Sequence, residues 1–130
     1  MPRTFYTKNG KEILVGKNAK ENNYLSLTFA EDYDLFFHVA DFPGSHVILR
    51  MTSFDVATID DIADAAYLAF YYSQAKNRKK VKVDYTPIKY VSRPKKAEPG
   101  LVELEKFKSV TVLKNEDVER RLLKSTNEVD

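Results

Sequence analysis

The chain has 130 residues, 43% hydrophobic and 12% aromatic, with a formal net charge of +2. That length suits one domain with one core, and the aromatic content excludes wholesale disorder. With no cysteine present, disulfides and thiolate metal centres are excluded.

Residues 5–8 and 11–15 read as two short strands around Asn9-Gly10, a strong hairpin dipeptide. Gly16 ends the second strand. Asn18 then caps a helix over 19–27, with Glu21 at capping-box spacing. Residues 35–39 (LFFHV) form a buried strand, 41–44 (DFPG) a turn, and 46–50 (HVILR) the next strand. The clearest helix runs over 59–75. Thr58 caps it, Asp60 and Asp61 suit its dipole, and Ile59, Ile62, Ala63, Ala66, Ala69 and Phe70 form its buried stripe. Residues 81–85 alternate as a half-buried strand that Pro87 breaks, and 88–92 alternate again. A loop over 94–100 leads to strands at 101–107 and 110–113. A charged helix over 116–124 and a frayed tail follow. The expected fold is α+β, with a mixed, largely antiparallel sheet and two or three helices packed on it.

The charge is distributed unevenly. Residues 76–96 carry Lys76, Arg78, Lys79, Lys80, Lys82, Lys89, Arg93, Lys95 and Lys96 against a single acid, Asp84. That window holds +8 and the remainder −6. Such asymmetry is the footprint of a phosphate-binding surface. Helix-end cations also counter the helix dipole, but this does not account for Arg93, Lys95 and Lys96 in a separate loop. Tyr71, Tyr72, Tyr85 and Tyr90 lie in or near the window, where exposed rings could stack on bases and buried ones would serve the core. Charge alone admits DNA as well as RNA.

Two further constellations stand out. Gly16-Lys17-Asn18 with Lys20 and Asn22 joins a strand end to a helix start, where free backbone N–H groups meet anions, although ordinary strand-to-helix turns use the same residues. The only two histidines, His38 and His46, flank the Pro43-Gly44-Ser45 turn. A regular hairpin closed on 41–44 sets His38 opposite Val47 and His46 opposite Val39, so the histidines point to opposite faces. No metal site is therefore expected. Ser45 beside His46, with His38 and Asp41 near, is the only arrangement resembling a hydrolase, and it lacks a defined orienting acid and oxyanion hole. No catalytic residues and no cofactor are assigned. The N-terminus lacks the apolar run of a signal peptide, and no segment approaches the roughly 18 apolar residues of a membrane span. A cytoplasmic protein without membrane contact is expected.

Read in order, these pieces resemble the NFACT-R domain, the RNA-binding module of the NFACT proteins. The resemblance is carried by VGKNA at 15–19 with Asn22, DLFFH at 34–38, PGSHV at 43–47, Ala65, Ala66, Ala69, Tyr72 and Ser73, VKVDYT at 81–86, and RPK at 93–95 before Pro99-Gly100. It spans residues 5–112. The matching motif residues are Gly16, Lys17, Asn18, Asn22, Asp34, His38, Pro43, Gly44, Ser45, His46 and Asp84. Phe36 stands where the family commonly has Trp. Larger members act in ribosome-associated quality control, bind the large ribosomal subunit and tRNA, and promote C-terminal tailing of stalled chains. The resemblance implies an RNA-binding module for tRNA or ribosomal RNA, not the tailing activity. It implies a stand-alone member, with residues 1–114 as the domain and 115–130 as a charged helix and tail. The candidate RNA-binding residues are Lys17, Asn18, Asn22, His38, Ser45, His46, Arg50, Lys76, Arg78, Lys79, Lys80, Lys82, Arg93, Lys95 and Lys96. The alternative is a module that docks on a protein or the ribosome through its acidic remainder. The oligomeric state is left open.

Overall fold

Asn9 and Gly10 reverse the chain as expected, with Gly10 at φ +87°. They join β1 (Arg3–Tyr6) to β2 (Glu12–Val15), and the register pairs Arg3 with Val15. The structure is a computed structural model and describes residues 2–52, 56–96 and 98–126. The tail expected to fray falls largely outside the described residues.

Asn18 caps α1 (Ala19–Tyr24) by accepting from the Glu21 N–H, and the Glu21 carboxylate accepts from the Lys17 N–H. The helix expected over 19–27 changes pitch after Tyr24. Leu25–Phe29 is a π-helical turn, closed by the Ala30 N–H on the Leu25 carbonyl at 2.9 Å. Pairing five residues back rotates Leu25 and Ser26 into the interior.

Strands β3 (Leu35–Val39), β4 (Val47–Leu49), β5 (Lys80–Pro87) and β8 (Lys108–Leu113) complete a six-stranded sheet in the order β1-β2-β4-β3-β5-β8. Every pairing in it is antiparallel. Residues 88–92 are not one strand. Ile88–Tyr90 is a 3₁₀ turn and only Val91–Ser92 (β6) is extended, because the Ile88 and Lys89 N–H groups bond to the carbonyls of Asp34 and Asp32. Of the strand expected over 101–107, only Glu103–Leu104 (β7) pairs, with β6.

Helix α2 (Ile59–Tyr71) and helix α3 (Glu116–Lys124) cover one face of the sheet. The Thr58–Asp61 capping box starts α2. The helix ends four residues earlier than 75, where the Ser73 hydroxyl bonds to the Phe70 carbonyl and accepts from the Ala75 N–H. The expected stripe is only partly buried. Ile59 is 86% exposed and Ala63 is exposed, whereas Ala65 through Phe70 are all buried. A two-sided contact causes this, for α2 lies on the sheet and carries α3 on its other flank. Leu122 of α3 is fully buried, and Arg121 clasps the Asp64 carboxylate with two bonds of 2.7 and 3.0 Å. The opposite face carries a smaller core of Leu14, Leu25, Phe36, Ile48 and Ile88, roofed by the π turn and the β6–β7 hairpin. Three layers result, with Gly16, Asn22, Gly44, Ser45 and His46 gathered at one end of the sheet and Asp34 at the other.

Candidate nucleic-acid interface

The turn between β3 and β4 sets the site. The β3–β4 register pairs Leu35 with Leu49, Phe36 with Ile48 and Phe37 with Val47. This is one residue away from the register expected for a tight hairpin, and such a step reverses every facing relation. His38 and His46 therefore share a face, with ring centroids 5.7 Å apart in an edge-on contact. The turn belongs to α2 rather than to a hairpin. Gly44 bridges Ser73, the Ser45 N–H donates to the Tyr72 carbonyl at 3.0 Å, and the Gln74 N–H donates to the Pro43 carbonyl at 2.9 Å. Gly44 is required here, since a Cβ on it would lie 2.8 Å from the Ser73 Cβ. The wide loop places Asp41 at φ +68°.

His46 is the hub beneath this turn, at 2% exposure. Its Nε2 lies 3.0 Å from the Gly100 carbonyl and its Nδ1 2.8 Å from the Ser26 hydroxyl. A carbonyl only accepts, so Nε2 carries the proton and Nδ1 accepts from Ser26. Burial, followed by the neighbouring His38, pushes the imidazole pKa down to about 4, and the ring is neutral. Its backbone N–H donates to Asn22 Oδ1 at 3.0 Å, and its carbonyl accepts from the Gly16 N–H at 3.1 Å. A side chain at Gly16 would collide with that same Asn22 oxygen. Gly16, Asn22, Ser26, His46 and Gly100 thus form one hydrogen-bonded knot. With both ring nitrogens engaged, His46 is unavailable as a base for Ser45. Phe36 is buried and meets the His46 ring edge-on at 5.0 Å, so the ring at that position packs. Burial also lowers the His38 pKa, opposed by backbone hydrogen bonds and by Asp84, its register partner on β5.

Above the knot lies an open groove of about 420 Å³. Lys17, Asn18, Asn22, Ser45 and Lys76 line it, so five of the expected residues converge there. Arg3, Tyr71 and Tyr72 line it too. The Arg3 guanidinium stands 4.9 Å from the Tyr72 ring centroid and the Lys76 ammonium 4.7 Å from that of Tyr71. Arg3 lies outside the residues expected from the sequence. Its signal lay in the hairpin, because an Asn9-Gly10 turn sets Arg3 beside Val15 and hence beside Gly16-Lys17.

The other candidates spread outward. Arg78 rests over Phe42 at 4.7 Å, and Lys79, Lys80 and Lys82 run exposed into β5. Arg93, Lys95 and Lys96 are exposed in the loop that Gly100 ties to His46, with Lys96 at φ +61°. Arg50 is separate. It follows β4 at the end away from Ser45, bonds Asp34 at 3.1 Å and lies 4.6 Å over Phe29. Asp34 is fully buried and also accepts from the Met51 and Glu31 N–H groups. Among the described residues, no cluster of three or more His, Asp or Glu could hold a metal ion, and no helix is long and apolar enough to cross a membrane.

This arrangement has relatives. RqcH proteins described as Rqc2 homologs, from Bacillus subtilis and Streptococcus suis, are 40% and 36% identical over 94% and 89% of this chain. The chain spans about a fifth of their length, 21% in each case. The C-terminal structure of the fibronectin/fibrinogen-binding protein from Streptococcus suis superposes with a TM-score of 0.85 at 32% identity, over 96% of this chain and 49% of that one. The family model described as the NFACT protein RNA binding domain matches residues 1–106. With these matches and a fold of this kind, the chain belongs to the NFACT RNA-binding domain family.

Proposed function

We propose that this chain binds structured RNA, tRNA or ribosomal RNA, in a non-catalytic role within ribosome-associated quality control, with the large ribosomal subunit as a partner. The observation that carries the reading is the groove at the α2 exit. Arg3, Lys17 and Lys76 surround two half-buried tyrosines there, beside the rigid Pro43-Gly44-Ser45 turn. Cations fix phosphates, while rings and turn polar groups give bases and riboses something to meet. Arg78, Lys79, Lys80 and Lys82 extend the positive surface along the chain, and Arg93, Lys95 and Lys96 supply a second patch. Asn22 and His46 act beneath the surface by holding the turn in shape. Family membership and the names of the RqcH relatives support the ribosomal setting, which in turn implies a cytoplasmic location.

Fluorescence anisotropy with tRNA tests the reading. Affinity should fall steeply between roughly 50 and 200 mM salt, as counterion release requires. A variant with Lys79, Lys80, Lys95 and Lys96 replaced by Glu should lose binding and keep its circular dichroism spectrum. A flat salt profile overturns the proposal, and duplex DNA of equal charge competing as well as tRNA removes the RNA preference.

A further inference from the structure

A second groove opens at the other end of α2, with a volume of about 520 Å³. Leu35, Ile62, Tyr85 and Pro87 give it an apolar floor, and Phe107 and Lys108 form its rim. Ile62 and Tyr72 are ten residues apart, roughly 15 Å along the helix axis, so this groove is distinct from the one at Ser45.

Its chemistry is specific. The Tyr90 ring carries two ammonium groups, Lys106 at 4.4 Å and Lys89 at 5.1 Å from its centroid. Lys108 adds a third cation to the lining. Among the described residues, none of these three lysines has a carboxylate within ion-pair distance. The local field is strong enough to hold the Tyr90 phenol below its ordinary pKa, the Lys106 hydrogen bond being the first cause. Phe107 is 54% exposed, a large ring left facing water.

An exposed Phe107 and a half-buried Tyr90 interleaved with cations that have no carboxylate partner complement a nucleotide, the ring for the base and the ammonium for the phosphate. An apolar protein segment would desolvate three ammonium groups and leave them unpaired, which is costly. The phosphates of a duplex would not reach the apolar floor, whereas an unpaired base would.

We propose that this groove is a second RNA subsite, which takes an unpaired base against Phe107 and Tyr90 and holds its phosphates on Lys89, Lys106 and Lys108. The inference rests on the RNA-binding reading above, and adds that the RNA presents an unstacked nucleotide some distance from its main phosphate contacts.

The test compares an adenosine RNA octamer with an abasic octamer of equal charge, by anisotropy, on the full chain. The variants are Phe107→Ser, an exposed position that leaves the core intact, and Lys106→Gln. Phe107→Ser should weaken the adenosine octamer roughly tenfold and leave the abasic octamer unchanged, while Lys106→Gln weakens both. Ultraviolet crosslinks to the octamer should map to Tyr90 or Phe107. If the wild type binds both octamers and Phe107→Ser changes neither, the subsite is overturned while RNA binding stands. Crosslinks confined to Tyr71 and Tyr72 overturn it equally and leave the groove to a protein segment. Equal loss on both octamers overturns the stacking. A wild type that binds no RNA, tRNA included, removes the underlying reading and the subsite together.

Discussion

The Nε2 proton of His46 is donated to the carbonyl of Gly100, 54 residues further along the chain, at 3.0 Å. Through this bond the basic loop of Arg93, Lys95 and Lys96 is fastened to the same residue that holds the Gly16 strand end. Loop position and motif geometry therefore meet at one buried residue, and the neutral ring keeps Nδ1 free to accept from Ser26.

Stability should accordingly vary with pH through His46. Its folded pKa is about 4 against an ordinary value of 6.5. Between those values the unfolded chain binds a proton that the folded chain does not, so stability falls as pH drops from 6.5 to 4. The loss is about 3 kcal/mol for a shift of this size. Urea denaturation from pH 4 to 8 measures it. In His46→Asn that portion of the slope should vanish, and an unchanged slope would contradict the assignment.

Gly16→Ala should be far more damaging than a helix or strand glycine usually is. The new methyl would displace Asn22 Oδ1 and orphan the buried His46 N–H, which costs about 1–3 kcal/mol. Asn22→Ala should cost a similar amount, and the double variant less than the sum, since both remove the same bond. Thermal melts of the cycle decide this.

Arg50 and Lys76 should separate fold from binding. Arg50→Gln loses the bond to fully buried Asp34 and should destabilise by about 1–3 kcal/mol. It should leave RNA affinity unchanged, because five residues of extended chain, roughly 16 Å, separate it from Ser45. Lys76→Gln and Arg3→Gln should do the reverse, each lowering the slope of log K against log salt by about 1. Paired denaturation and anisotropy measurements test both halves.

Helix α3 should be integral to stability. Leu122→Ala empties a fully buried position and should cost about 2–5 kcal/mol. We propose that residues 1–114 alone, lacking this helix, retain the sheet but melt well below the full chain. Calorimetry on the two lengths compares them, and equal melting temperatures would contradict the proposal.

Much of this fold could be read from local signals. Asn9-Gly10, the Asn18 and Thr58 caps and the charged helix from Glu116 are short-range features, and each lies where its residues predict. What local pattern could not convey was set at a distance. The β3–β4 register follows from Gly44 bonding to Ser73, a tertiary contact with no trace in a hairpin rule, and so the histidine pair was placed on opposite faces instead of one. The Ile59 stripe failed for a related reason, because two-sided burial of α2 leaves no simple amphipathic period. The site was half legible. Charge marked Lys76 and its neighbours, but nothing in spacing told buried Asn22 and His46 from exposed Lys17 and half-buried Ser45.

The bridge between Gly44 and Ser73 has a mechanical meaning. It welds the Pro43–Ser45 turn to the short segment that leads from α2 to Lys76 and Arg78. A ligand that tugs on those cations tugs on the turn as well, so neither can shift to suit a poor fit while the other stays put. The surface behaves as a template with one fixed spacing between its charges and its turn, and shapes that miss that spacing are turned away.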